Sequence, residues 1–195
     1  MNLGDPVSPD GAATDQDGPV LVVVIGGPIA SGKSALGREV ASQLEGLGLR
    51  CGSVIDLDLM YEMLDPRRRP KDDTAVWTQA RRIAGRLASL LLAEGLAVVA
   101  EGDFATDREL REFESELPED ADVRLVMLTV SPDAGFERAR VDMTRGVSKD
   151  RAFLLRHYAG FRPEWKGREV LRLDTGGMAL SETGQSVVEW LRRPR

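Results

Sequence analysis

One cysteine, one histidine and few aromatic side chains mark this 195-residue sequence. With Cys51 alone no internal disulfide can form, and its place just before a predicted strand reads as a small buried thiol. No Cys/His cluster has metal-ligand spacing, which disfavours structural zinc. Without a G-x-S-x-G elbow nothing marks the nucleophile of a hydrolase triad. His157 itself, near Leu154, Leu155 and Phe161 on a predicted helix, reads as structural. No apolar run reaches the ~18 residues needed to span a bilayer, and the first residues lack the charged-then-apolar pattern of an export signal. The expectation is therefore a cytoplasmic protein without a membrane partner. Positive charge is also short: the net charge is −6. A general nucleic-acid scaffold usually carries a basic surface, so nucleic acid is not an expected partner.

The remaining composition, 42% hydrophobic and 30% charged, is ordinary for a globular domain. Residues 1–18 are rich in Gly, Pro, Asp, Ser and Thr and cannot bury enough surface to offset their ordering entropy; they read as a tail preceding one domain over 19–195. Val20–Ile25 is an unbroken apolar, mostly β-branched run, the pattern of a strand covered on both faces. A helix is expected over Gly32–Glu45, with Leu36, Val40 and Leu44 four apart. Strands follow at Ser53–Ile55, Leu96–Ala100, Arg124–Val130 and Val170–Leu173. Helices are expected at Leu57–Leu64, Thr74–Glu94, Asp107–Leu117, Asp133–Val141, Lys149–Tyr158 and Glu182–Leu191, with a charged, Pro-broken loop over Asp65–Asp73. Alternation of this kind means a parallel sheet with helices on both faces, an α/β fold.

Between the first strand and first helix stands Gly27-Pro28-Ile29-Ala30-Ser31-Gly32-Lys33-Ser34. It satisfies G-x-x-x-x-G-K-S/T in the required strand-to-helix context. Glycines let the backbone curl until successive N–H groups face one anion. The helix start, through Ala35, adds its positive dipole end. Lys33 would reach the β- and γ-phosphates of ATP, and the Ser34 hydroxyl would ligate Mg2+.

Other carboxylates and arginines fall where such chemistry needs them. Asp56 and Asp58 end the second strand as D-x-D, at a sheet edge where ligands bind. Two acids there can divide the work, one orienting a magnesium-bound water and the other taking a proton from an attacking hydroxyl. Either can equally cap the next helix. The third strand runs into Glu101-Gly102-Asp103, an apolar strand ending in an acid that can serve magnesium. Residues 137–151, ERARVDMTRGVSKDR, hold Arg138, Arg140 and Arg145. A cationic segment that closes over a phosphoryl group stabilises its transition state; a solvated helix face paired with Glu137 and Asp142 is the competing reading.

GGPIASGKS followed by VIDLD resembles the small P-loop kinases: shikimate kinase, gluconate kinase, adenylylsulfate kinase and chloramphenicol phosphotransferase. The resemblance spans about residues 20–195, is specific in the phosphate loop and is looser beyond it. It implies a three-layer P-loop NTPase fold with a five-stranded parallel sheet ordered 2-3-1-4-5. It also implies an ATP-dependent kinase acting on a hydroxyl of a small-molecule acceptor, a metabolite or an antibiotic, in a monomer or homodimer. By that pattern Asp58 contacts the acceptor hydroxyl, Asp56 holds magnesium water, and Glu101 and Asp103 serve metal or acceptor. Arg138 or Arg140 stacks on adenine, Arg145 is the lid arginine, and the loop at Thr175 passes the adenine edge. Tyr61, with Leu64, Arg67–Arg69, Trp77 and Arg81, lies where the acceptor would sit, although aromatic pairs at such spacings also build cores. A nucleoside, nucleotide or polynucleotide 5′-end kinase and a non-catalytic nucleotide sensor are the rivals.

Overall fold

The computed structural model describes residues 20–67, 71, 73–142 and 149–194, with backbone only at Cys51 and Gly52. The Cys51 side chain, the tail before residue 20, Arg68, Arg69 and Arg145 therefore lie outside the described residues.

Along the chain come β1 (Leu21–Gly26), α1 (Lys33–Gln43), a 3-10 turn at Leu44–Leu47, β2 (Cys51–Asp56), α2 (Leu57–Leu64), α3 (Thr74–Ala93) and β3 (Ala97–Gly102). Then follow α4 (Asp107–Glu114), β4 (Asp122–Thr129), α5 (Pro132–Val141), α6 (Arg151–Gly160), β5 (Val170–Asp174) and α7 (Leu180–Leu191). The strands form one sheet in the order β2-β3-β1-β4-β5, and every neighbouring pair is parallel. Both the fold class and the strand order agree with the sequence expectation.

The apolar run of β1 explains why its strand is central. Val22 and Val24 face one side, joining Ala84 and Ala88 of α3, and Leu110 and Phe113 of α4. Leu21, Val23 and Ile25 face the other, joining Leu36 and Val40 of α1, and Val187 and Trp190 of α7. A run without polar interruption is what a strand buried on both faces requires. Ile25 is wholly buried, so Ile25→Ala should cost about 2–5 kcal/mol of stability.

Helix starts differ in an instructive way. Side chains cap α2 (Asp56), α3 (Asp73), α4 (Thr106, in a capping box with Glu109), α5 (Ser131) and α6 (Asp150). α1 begins at Gly32 with no side-chain cap. Its first intrahelical bond runs from Leu36 N–H to Gly32 O at 2.9 Å, so the N–H groups of its first turn point beyond the helix end. α1 starts at the carboxyl end of central β1, between β3 and β4.

Candidate functional site

The turn from β1 to α1 is shaped by two glycines. Gly32 has φ 97°, a left-handed conformation that favours glycine. At Gly27 a Cβ would lie 2.6 Å from Ser31 Oγ and 3.0 Å from the Leu128 side chain. Lys33 folds back over the curl and donates from Nζ to Gly27 O (2.9 Å) and Pro28 O (3.1 Å). Not every loop amide is left for an anion. Ser31 N–H turns back to Pro28 O at 3.2 Å, and Ile29 N–H donates to His157 Nε2 at 3.1 Å.

Strand register then sets the acids beside the loop. Glu101 pairs with Ile25 of β1 on one side and with Asp56 of β2 on the other. Glu101 is 2% exposed, and its Oε1 has no hydrogen-bond partner. Burial, with the neighbouring Asp56 charge adding to it, pushes its carboxyl up to about 7. The Ser34 hydroxyl and the Lys33 ammonium act in the opposite direction. A buried, under-satisfied acid beside a loop hydroxyl fits a divalent cation better than it fits a folded protein alone. Ser34, Glu101 and Asp56 are thus the residues that would hold Mg2+. Among the described residues no group of three or more His, Cys, Asp or Glu forms a closed metal site.

On the far side of the loop a groove runs between α1 and the segment after β5. Ala35, Leu36, Met178 and Leu180 give it apolar walls, and Arg138 and Thr175 close its polar end. Thr175 Oγ1 donates to Ser31 O (2.9 Å) and accepts from Arg138 Nη1 (2.9 Å). Arg138 Nη2 also donates to Thr175 O. The network ties α5, the β5–α7 loop and the phosphate loop together, and it suits a flat apolar base. Of the two candidate arginines, only Arg138 is here. Arg140 pairs with Glu137 at 2.8 Å on an exposed face, the solvated reading.

The β2–α2 corner looks different. Asp56 Oδ1 accepts from Asp58 N–H (2.8 Å) and Leu59 N–H (3.3 Å), so it caps α2 while facing Glu101. The Asp58 carboxylate is exposed and pairs with Lys71 at 2.8 Å; Lys71 also meets Glu62 at 3.0 Å. Tyr61 corrects the acceptor-wall expectation. It is 2% exposed, packs its ring at a tilt against Trp77 with centroids 4.6 Å apart, and its hydroxyl accepts from Asp73 N–H. It is a packing residue because α2 turns that face onto α3. Arg81 is likewise buried: it donates to Asp103 O (3.0 and 3.2 Å) and pairs with Glu112 and Glu109. It holds the loop after β3 in place, and with it the Asp103 backbone.

A family model described as AAA domain matches residues 22–153, well over half of the chain. The chain belongs to this P-loop kinase family. The small-kinase resemblance and nucleotide binding thereby stand. The chain is similar in fold to the APS kinase CysC of Mycobacterium tuberculosis, solved with AMPPNP and APS, at 21% identity, TM-score 0.68, and coverage of 90% of this chain and 98% of that one. It is similar also to a sugar kinase from Janibacter (15%, TM-score 0.67, 88% and 93%). A third is the tunicamycin resistance protein of Deinococcus radiodurans (14%, TM-score 0.57, 91% and 97%). No protein of curated function matches the chain. Among the described residues no helix is long and apolar enough to cross a membrane.

Two residues that sequence reasoning did not place at the site reach the phosphate loop: His157, read as structural, and its neighbour Tyr158, whose hydroxyl donates to Ile29 O at 2.8 Å. Nothing local in the sequence marks them, since the contacts span 128 and 129 positions.

Proposed function

We propose that this protein is an ATP-dependent phosphotransferase that moves the γ-phosphoryl group to a hydroxyl of a small molecule. One observation carries the reading. The phosphate loop, the under-satisfied Glu101 and the Asp56–Asp58 corner meet at the carboxyl ends of three adjacent strands. A protein that only sensed nucleotide would need the loop and the metal acid but no further carboxylate at the acceptor edge.

In this reading Lys33 leaves the Gly27 and Pro28 carbonyls for the β- and γ-phosphates, and the first turn of α1 supplies N–H donors. The apolar groove takes the base, with Arg138 over it and Thr175 at its edge. Ser34, Glu101 and Asp56 would hold magnesium, which would supply positive charge against the phosphate oxygens. Asp58 accepts the acceptor's proton, and displacement of Lys71 by acceptor leaves its carboxylate ready for that task. Asp103 lines the acceptor side, and Arg145 is the cation that closes on the transferring group. The likeness in fold to an APS kinase and a sugar kinase supports a small-molecule acceptor.

The deciding experiment is a coupled ADP-release screen over metabolites and aminoglycoside, macrolide and phenicol antibiotics. An acceptor that raises ADP release well above the water background, and a Asp58→Asn variant that loses this rise, support the reading. ATP binding with ADP release unchanged by every acceptor favours the nucleotide sensor instead.

A further inference from the structure

The strained part of the phosphate loop is held from outside the loop. Ala30 has φ 61°, in the left-handed region that side chains other than glycine seldom occupy. A residue stays there only where its surroundings leave it no alternative. Ala30 is 5% exposed and packs with Ala139 of α5 and Leu154 of α6, with Phe136 and Tyr158 around them. The residue before it is tied at both backbone groups. Ile29 N–H donates to His157 Nε2, and the Tyr158 hydroxyl donates to Ile29 O. The neighbouring helix makes space for this: a Cβ at Gly135 would lie 2.2 Å from the Tyr158 hydroxyl.

We propose that His157 and Tyr158 are positioning residues for nucleotide binding, orienting the peptide planes on either side of Ile29 so that the loop is curled before the phosphates arrive. The proposal rests on the reading of Gly27–Ser34 as the nucleotide loop. The physical reason is preorganisation: a loop fixed beforehand loses less freedom on binding, so more of the contact energy appears as affinity. His157 also withdraws the Ile29 amide from the set of donors available to an anion, which assigns phosphate binding to the amides further along the loop.

Accepting through Nε2 requires a neutral ring with its hydrogen on Nδ1. Burial lowers His157 below its ordinary value; Asp103, on the loop after β3, opposes this, and Lys33 of α1 reinforces it. Protonation would set a donor against the Ile29 N–H and break the tie. The neutral ring is favoured in the folded protein. Its contribution is therefore complete above the ordinary imidazole value of about 6.5 and disappears as pH falls through the lower folded value. Glutamine at 157 offers an amide oxygen near the position of Nε2 and does not titrate.

The test is calorimetric titration of the full chain with AMPPNP and magnesium, alongside thermal melting, for wild type, His157→Phe, His157→Gln and Tyr158→Phe. His157→Phe should bind on the order of 10-fold more weakly, and Tyr158→Phe about 5-fold, as expected for loss of one buried hydrogen bond each. His157→Gln should lie within about 3-fold of wild type, since its amide can still accept. Between pH 7.5 and 5.5 wild type should lose affinity relative to His157→Gln; taking the difference cancels the titration of Glu101 and of the nucleotide. A His157→Phe protein that binds as tightly as wild type overturns the proposal, as does glutamine performing no better than phenylalanine. Should His157→Phe not fold, Tyr158→Phe and Gly135→Ala decide: weakened binding supports the proposal and unchanged binding overturns it. Lys33→Ala separates the two levels. If Lys33→Ala abolishes binding while the α6 variants bind normally, only the positioning role fails; if wild type binds no nucleotide, the loop reading fails with it.

Discussion

On the nucleotide side of the crevice polar groups meet inside the protein, whereas on the acceptor side they meet in water. Thr175 is buried and joins Ser31 to Arg138, and Glu101 is sealed beneath the loop with an oxygen still wanting a partner. Asp58, Lys71 and Glu62 form their contacts at the surface. In a low-dielectric setting each polar contact is strong and each missing one is costly, so the nucleotide side is fixed in advance. Exposed ion pairs are worth little and exchange readily, which leaves the acceptor side open to rearrangement by whatever binds there. In the proposed reading a universal donor and a particular acceptor place such different demands on one crevice.

The comparison is broken most severely at Asp58. Asp58→Asn keeps shape and removes the proton acceptor, so turnover should fall by about 10²–10⁴-fold while AMPPNP affinity stays within about 2-fold. Steady-state kinetics beside calorimetry checks this, once the screen has supplied an acceptor. Equal losses in turnover and nucleotide affinity would mean that Asp58 belongs to the nucleotide side. Lys33→Ala should do the reverse. Removing a cation aimed at two phosphates should weaken AMPPNP binding about 100-fold, read as the loss of ligand-induced thermal stabilisation.

Glu101 joins the two sides, and pH exposes it. Its carboxyl sits at about 7 in the free protein, above its unfolded value, so its contribution to stability is full below about 4.5 and is lost as pH rises through 7. Magnesium needs the carboxylate, so the magnesium-dependent part of nucleotide affinity should grow over the same rise in pH. Glu101→Gln should flatten both trends and weaken magnesium-supported binding by about 10-fold, as expected for a lost metal contact. Calorimetry at pH 6 and 8, with and without magnesium, reads both effects. A magnesium dependence that survives undiminished in Glu101→Gln would leave the cation to Ser34 and Asp56 without Glu101.

How much of this the sequence discloses depends on how local each device is. The phosphate loop is eight consecutive residues between an apolar run and an amphipathic helix, so motif and context are readable together. The parallel sheet follows from the same alternation and its strand order from family resemblance, and the observed sheet agrees with both. Glu101 is legible as an acid at a strand end, yet its elevated titration comes first from burial and then from Asp56 in the neighbouring strand, 45 positions earlier, and neither the packing nor the register is encoded in a local pattern. Tyr61 and Arg81 mislead for the same reason. An aromatic residue and an arginine near a site look like ligand contacts until packing turns them inward, here against Trp77 and between Glu109 and Glu112. His157 and Tyr158 carry no local mark at all. Their meaning comes from where α6 lands.

The smallest effect sharpens the comparison most cleanly, because it contrasts two arginines two positions apart on α5. A 100° turn per residue places Arg138 and Arg140 on different faces of the helix. Arg138 meets Thr175 through its side chain and the Thr175 carbonyl; among the described residues Arg140 meets Glu137, and both partners are 61% exposed. An exposed pair three residues apart contributes about 0.5 kcal/mol or less, and salt screens it. Arg140→Ala should therefore leave AMPPNP affinity within about 2-fold of wild type and the melting temperature nearly unchanged. Arg138→Ala strips a half-buried network and one wall of the base groove, and should weaken AMPPNP by about 10-fold. Raising salt from 0.05 to 0.5 M should not reproduce the Arg138 loss, because buried contacts are screened less than exposed ones. If the two variants behave alike, the order ascribed to the nucleotide side does not extend as far as α5. Arg138 would then be one more solvated cation, and the groove would have to bind its base through Met178, Leu180 and the apolar face of α1 alone.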